Sequence, residues 1–71
     1  MDIRTFEYLK PTDDQLQKME TLRHAFYDLA CTIEALVPEG PDRTFALREL
    51  RTCGMWCNIS VTRNPDGSPR L

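Results

Sequence analysis

Leu36-Val37-Pro38-Glu39-Gly40-Pro41-Asp42 decides the fold. Pro38 disfavours helical geometry at Val37, Gly40 admits backbone angles that other residues avoid, and Pro41 suits the first turn of a new helix. Asp42 adds negative charge near that N-terminus, where the helix dipole favours it. One helix stops here and another starts. A link of about five residues makes two such helices antiparallel.

Upstream, Thr12 and Gln15 form a Thr-x-x-Gln capping box, followed by the acids Asp13 and Asp14. Apolar residues then recur at Leu16, Met19, Leu22, Phe26, Leu29, Ile33 and Leu36, one stripe of an α-helix. Ala25, Ala30 and Ala35 raise helix propensity. Some 25 residues at about 1.5 Å each make a rod of roughly 37 Å. Downstream, a second stripe runs Phe45 or Ala46, Leu47, Leu50, Gly54, Cys57 and Val61, with Trp56 and Ile59 beside it. Cys53, Gly54 and Cys57 form a small cluster that lets another helix approach closely.

Before the first helix, Met1 to Pro11 alternates Ile3, Thr5, Glu7, Leu9 with Arg4, Phe6, Tyr8, Lys10. That pattern predicts an extended arm in which either Phe6 and Tyr8 both cover a core or one ring forms the wall of a pocket; the two readings agree if Phe6 packs and Tyr8 reaches outward. The last residues, Asn64-Pro65-Asp66-Gly67-Ser68-Pro69-Arg70-Leu71, are rich in turn formers and are expected to fray. The reading is therefore one all-α domain over residues 1–71. It has an extended arm at 1–11, a helix at 12–37, a turn at 38–41, a helix at 42–63 and a flexible tail at 64–71.

A chain of 71 residues buries only roughly 60% of its unfolded surface. Small scaffolds of this kind need disulfides, a metal or partner subunits. Cys31, Cys53 and Cys57 are odd in number and form no disulfide framework. With His24 as the only histidine, zinc-site spacing is also missing, so no metal or cofactor is expected. Free thiols suit a reducing cytosol. A two-helix hairpin has no interior of its own, so self-association is the expected source of burial. Met19, Met55 and Trp56 are the expected interface residues.

Nine basic and eleven acidic residues leave a net charge of −2, which argues against broad binding to DNA, RNA or an anionic membrane. No apolar run approaches a membrane span of about 20 residues, and Asp2 and Arg4 do not open a secretory signal. A helix-turn-helix DNA reader is disfavoured by the long helices, the two prolines of the turn and the negative charge.

Catalysis finds little support. The chain carries no Gly-rich phosphate loop and no nucleophile elbow, and Glu34, Glu39 and Asp42 read as a solvated helix end. The arginines are more informative. Arg23 lies mid-way along the first helix, Arg43, Arg48 and Arg51 along the second, and Arg63 at its end. They could form a solvated face paired with Glu20, Asp28 and Glu49, or they could fork onto phosphate oxygens. A nucleotide would also need an aromatic wall, which Tyr8 offers, and Thr44 could add a hydroxyl near a helix N-terminus. His24 and Lys10 complete the candidate contacts.

Several stretches carry a family resemblance: Phe6-Glu7-Tyr8, Lys18-Met19 with Leu22-Arg23, and Leu36-Val37-Pro38. More specific are Ala46-Leu47-x-x-Leu50, Met55-Trp56-x-Asn58 and Arg63-Asn64. Together, over about residues 5 to 64, they resemble the phage cyclic-nucleotide sponge family, hairpin proteins that counter the CBASS and Thoeris bacterial defences.

The resemblance implies a compact homohexamer in the cytoplasm of an infected bacterium. It would sequester cyclic di- or trinucleotides, or cyclic ADP-ribose isomers, without cleaving them. By match, Tyr8 would border a nucleobase, Arg23 would face phosphate, and Arg63 with Asn64 would line a pocket near the end of the second helix. Asn58 would hydrogen-bond between helices. The sequence departs from the family after Pro38. Pro41-Asp42-Arg43-Thr44 stands where the family reads Arg-Glu-Lys-Ser, and Cys53, Gly54 and Cys57 replace an Ala-rich face. The alternative is a helical module that docks onto a host protein through its Trp56 surface.

Overall fold

A computed structural model describes residues 1–70. Helix α1 is Asp13–Leu36 and helix α2 is Pro41–Thr62, with four residues between them. The expected capping box is formed: Gln15 N donates to Thr12 Oγ1 at 3.2 Å, and Thr12 N donates to Gln15 Oε1 at 3.0 Å. At the turn, Gly40 has φ 158° and ψ −178°, a backbone region that residues with a side chain rarely adopt. Pro41 then opens α2 as its fixed φ allows. Arg43 Nη1 reaches back across the turn to the Glu34 and Val37 carbonyls through long contacts of 3.4 and 3.5 Å. The far ends are joined too, because Gln15 Nε2 donates to the Arg70 carbonyl at 2.9 Å. With both ends tied, the helices lie antiparallel in a body of 43 × 25 × 16 Å.

The N-terminal arm differs from its sequence expectation. Ile3–Phe6 winds into a 3-10 helix instead of staying extended. The cause is local: Asp2 accepts from Arg4 N at 2.9 Å and pairs with the Arg4 guanidinium at 2.6 Å. These bonds hold the Asp2 carboxyl well below the usual carboxylate range, at about 2. The bonded form is the anion, so the cap is complete above the ordinary carboxylate pKa and is lost as pH falls through about 2. The Arg4 amide resonance should therefore titrate with a midpoint near 2. A midpoint at an ordinary carboxylate value of about 3.9 would mean the cap does not persist in solution.

The tail also differs from expectation, because residues 63–70 fold back rather than fray. Arg70 N donates to the Thr62 carbonyl at 2.8 Å, and Asn64 N donates to the Ser68 carbonyl at 2.8 Å. Ser68 donates from its amide and its hydroxyl to Asp66 Oδ1, which lowers the Asp66 pKa. Leu71 lies outside the described residues.

Among the described residues no apolar side chain is fully buried; Gln15 and Thr62 are the only buried residues. Met19, Leu22, Phe26 and Ile33 are partly covered by α2, while Leu16, Leu29 and Leu36 of the expected stripe stay exposed. On α2, Ala46, Leu47, Leu50, Gly54, Cys57 and Val61 are partly covered. The opposite flank shows Trp56 at 65%, Phe45 at 62% and Met55 at 59% exposure. Phe6, expected to cover a core, is exposed as well.

The helix that approaches Gly54 is α1 itself. A Cβ there would sit 3.6 Å from the Phe26 ring, an ordinary van der Waals distance. Gly54→Ala should therefore raise stability by about 1 kcal/mol in urea denaturation, the helix-propensity gain. A loss would show that some neighbour outside this chain needs the missing methyl's space. The cysteines are free, and burial with the neighbouring Cys53 pushes the Cys57 thiol up, leaving it protonated.

Candidate nucleotide-binding groove

Seven arginines are distributed along the chain, and their hydrogen bonds separate them. Arg4 pairs with Asp2, Arg43 reaches the turn carbonyls, and Arg70 donates to the Arg63 carbonyl at 3.0 Å. Arg63 is the most heavily engaged. Its Nη1 donates to the Arg4 and Gly67 carbonyls, both at 2.8 Å, and its Nη2 donates to the Glu7 carbonyl at 2.6 Å. The guanidiniums of Arg23, Arg48 and Arg51 make no ion pair or hydrogen bond among the described residues.

Two of those three share one groove. Antiparallel packing brings Arg23 of α1 beside Arg51 of α2, at a groove of about 340 Å³ floored by Phe26, Leu47 and Gly54. Tyr27, Met55 and Asn58 complete its rim. The Cys31 thiol, one helical turn from Tyr27, raises the phenol's pKa and keeps it a neutral hydroxyl beside the two cations. Two unopposed guanidiniums over an apolar floor suit an anion that carries a flat ring.

A second cleft, of about 280 Å³, lies under the arm and is lined by Tyr8, Leu9, Met19, Ile59, Thr62 and Arg63 among others. Asn58 lines both this cleft and the Arg23 groove, so the two meet at that residue. On the other side of the arm–tail contact, Arg63 and Asn64 line a third hollow with Trp56 and Gly67.

The sequence candidates therefore fall into three groups. Arg23 lines the groove and Tyr8 the cleft that meets it at Asn58. Arg63 and Asn64 line a hollow, but most of their donors serve the fold: Asn64 Nδ2 donates to Ser68 Oγ at 3.2 Å and to the Pro69 carbonyl at 3.1 Å. Lys10, His24 and Thr44 line none of these hollows. His24 Nε2 is 3.9 Å from Glu20 Oε1, and the Thr44 hydroxyl donates to the Gly40 carbonyl at the turn end.

Of the groove's other lining residues, Tyr27 carries no signal in the sequence, Arg51 reads only as one of five arginines that could meet phosphate, and Met55 reads as an interface residue. The one further signal is that Arg51 lies on the α2 flank bordering Gly54. Asn58, expected to bridge helices, makes no side-chain hydrogen bond among the described residues and is exposed. No helix of the described residues is long and apolar enough to cross a membrane, and no metal-ligating cluster gathers among them.

The fold is a helical hairpin with two cations left free along one groove. The chain belongs to the Acb2/Tad1 hairpin-domain family, whose family model matches residues 1–62. This is the phage cyclic-nucleotide sponge family. No curated protein and no solved structure matches the chain significantly.

Proposed function

We propose that this protein binds cyclic nucleotide immune signals and holds them without cleaving them. The signals are cyclic di- or trinucleotides, or cyclic ADP-ribose isomers, that would otherwise activate CBASS or Thoeris effectors in the cytoplasm of an infected bacterium. The reading rests above all on Arg23 and Arg51, two guanidiniums on one groove with no carboxylate or carbonyl opposite them. Membership of a sponge family supports the same conclusion.

In this reading Arg23 and Arg51 take phosphate oxygens, and Tyr8 borders a nucleobase. Lys10, His24 and Thr44 contribute to clefts that a neighbouring protomer completes, as do the free edges of Arg63 and Asn64. The working state is a homo-oligomer, a hexamer by family resemblance. The absence of any fully buried apolar side chain among the described residues supports an assembled state.

The exposed flank of Phe45, Met55 and Trp56 also suits a module that docks onto a host protein. Native mass spectrometry separates the two readings. The panel is cyclic di-AMP, cyclic di-GMP, cyclic triadenylate and cyclic ADP-ribose. An oligomer carrying an intact cyclic nucleotide, released unchanged on heating, is expected. A chain that gains no mass from any panel member, or that releases a cleaved product, sinks the proposal.

A further inference from the structure

The tail after residue 62 lies beyond the family-matched segment, yet it makes the longest-range bonds in the chain. We infer that residues 63–70 form a clamp that fixes the N-terminal arm and, through it, sets Tyr8 at its cleft. The inference rests on the nucleotide-binding reading, in which Tyr8 is a wall of the site.

Arg63 is the centre of the clamp. Three of its five N–H donors reach carbonyls on two separate segments, Arg4 and Glu7 of the arm and Gly67 of the tail. Tyr8 is the next residue after Glu7, whose carbonyl takes the shortest of these bonds. Lysine, a compact point charge, cannot span three carbonyls from one plane.

The second element is Gly67, with φ 89°. A Cβ there would drive into Thr5 Oγ1 and lie 3.1 Å from Thr5 Cγ2. Thr5 Oγ1 is buried in this contact with no hydrogen-bond partner, so the arm and tail meet closely enough to exclude water. The third element is Gln15, which serves both the α1 cap and the Arg70 carbonyl.

A released arm would sample positions in which Tyr8 is away from its cleft. Apparent affinity falls in proportion to the competent fraction, so a fraction of about one tenth weakens binding about tenfold. Hydrogen exchange and calorimetry on the full chain test this, with cyclic di-AMP and cyclic triadenylate as probes.

In Arg63→Ala and Arg63→Lys, the Glu7 and Arg70 amides should exchange about tenfold faster while amides inside α1 and α2 keep their rates. Binding should weaken by about tenfold, and adding Tyr8→Ala to Arg63→Ala should cost little more. A purely structural brace would instead leave the two losses multiplicative, and that result overturns the inference, as do unchanged Glu7 and Arg70 exchange rates. If Arg63→Ala does not fold, Gly67→Ala, which displaces the tail from Thr5 with Arg63 intact, must show the same pattern. Wild-type protein that binds neither probe overturns the link to Tyr8, while exchange still decides whether the clamp exists.

Discussion

The Arg23→Ala, Arg51→Ala double variant is expected to lose cyclic-nucleotide binding by about 100- to 10,000-fold while keeping its helicity. Each guanidinium offers charge-assisted hydrogen bonds to phosphate, worth about 1.5–3 kcal/mol per bond. Two such losses sum to about 3–6 kcal/mol, and each 1.4 kcal/mol or so is a factor of about ten. Neither side chain contributes a hydrogen bond or ion pair to the fold among the described residues, so circular dichroism should stay unchanged. Arg48 supplies the control. It is equally free but lines neither groove, so Arg48→Ala should change affinity by less than about threefold, the scale of a screened surface charge. A double variant that binds within about threefold of wild type would locate the phosphate site elsewhere.

The second large effect concerns assembly. In the proposed homo-oligomer, Trp56→Asp is expected to release monomers that lose helicity at micromolar concentration. Trp56 is 65% exposed in the single chain, and Met55 beside it is 59% exposed. A desolvated tryptophan at the centre of an interface typically carries about 2 kcal/mol or more, and a symmetric assembly repeats the loss at every copy of the contact. Burying an unpaired carboxylate there adds a further penalty. Because no apolar side chain among the described residues is fully buried within one protomer, the hairpin has little to fall back on. Size-exclusion chromatography with far-ultraviolet circular dichroism reads both effects. A Trp56→Asp protein that keeps its mass and its melting curve would move the interface to another face.

Much of the fold is written in short-range chemistry. The Thr12–Gln15 capping box and the Pro38-Glu39-Gly40-Pro41 turn are both legible because each involves neighbours in sequence. The 3-10 helix of the arm depends on one Asp2–Arg4 pair two residues apart, which the alternating pattern obscured. The anchoring of the tail is hidden for the opposite reason. Its turn residues are plain, but its anchoring depends on Arg63 meeting carbonyls nearly sixty positions away.

The seven-residue stripe of α1 spread over too wide an arc for one partner helix, so Leu16, Leu29 and Leu36 stayed outside while Met19, Leu22 and Phe26 turned inward. Arg23 could be named from the family resemblance. Arg51 became its partner only once the antiparallel register was known, and no spacing along the chain reports that register.

The four-residue connection between α1 and α2 also bears on the speed of folding. Contacts beside a short link close small loops and form fast, whereas the Arg63 and Gln15 bridges close loops of 55 to 59 residues. The hairpin should therefore zip from the Pro41 end, and the two chain termini should meet last. If the protein works as the proposed oligomer, chain closure is quick compared with the encounter of its subunits, and refolding followed by tryptophan fluorescence should accelerate with protein concentration. A rate independent of concentration would place the slow event within a single chain.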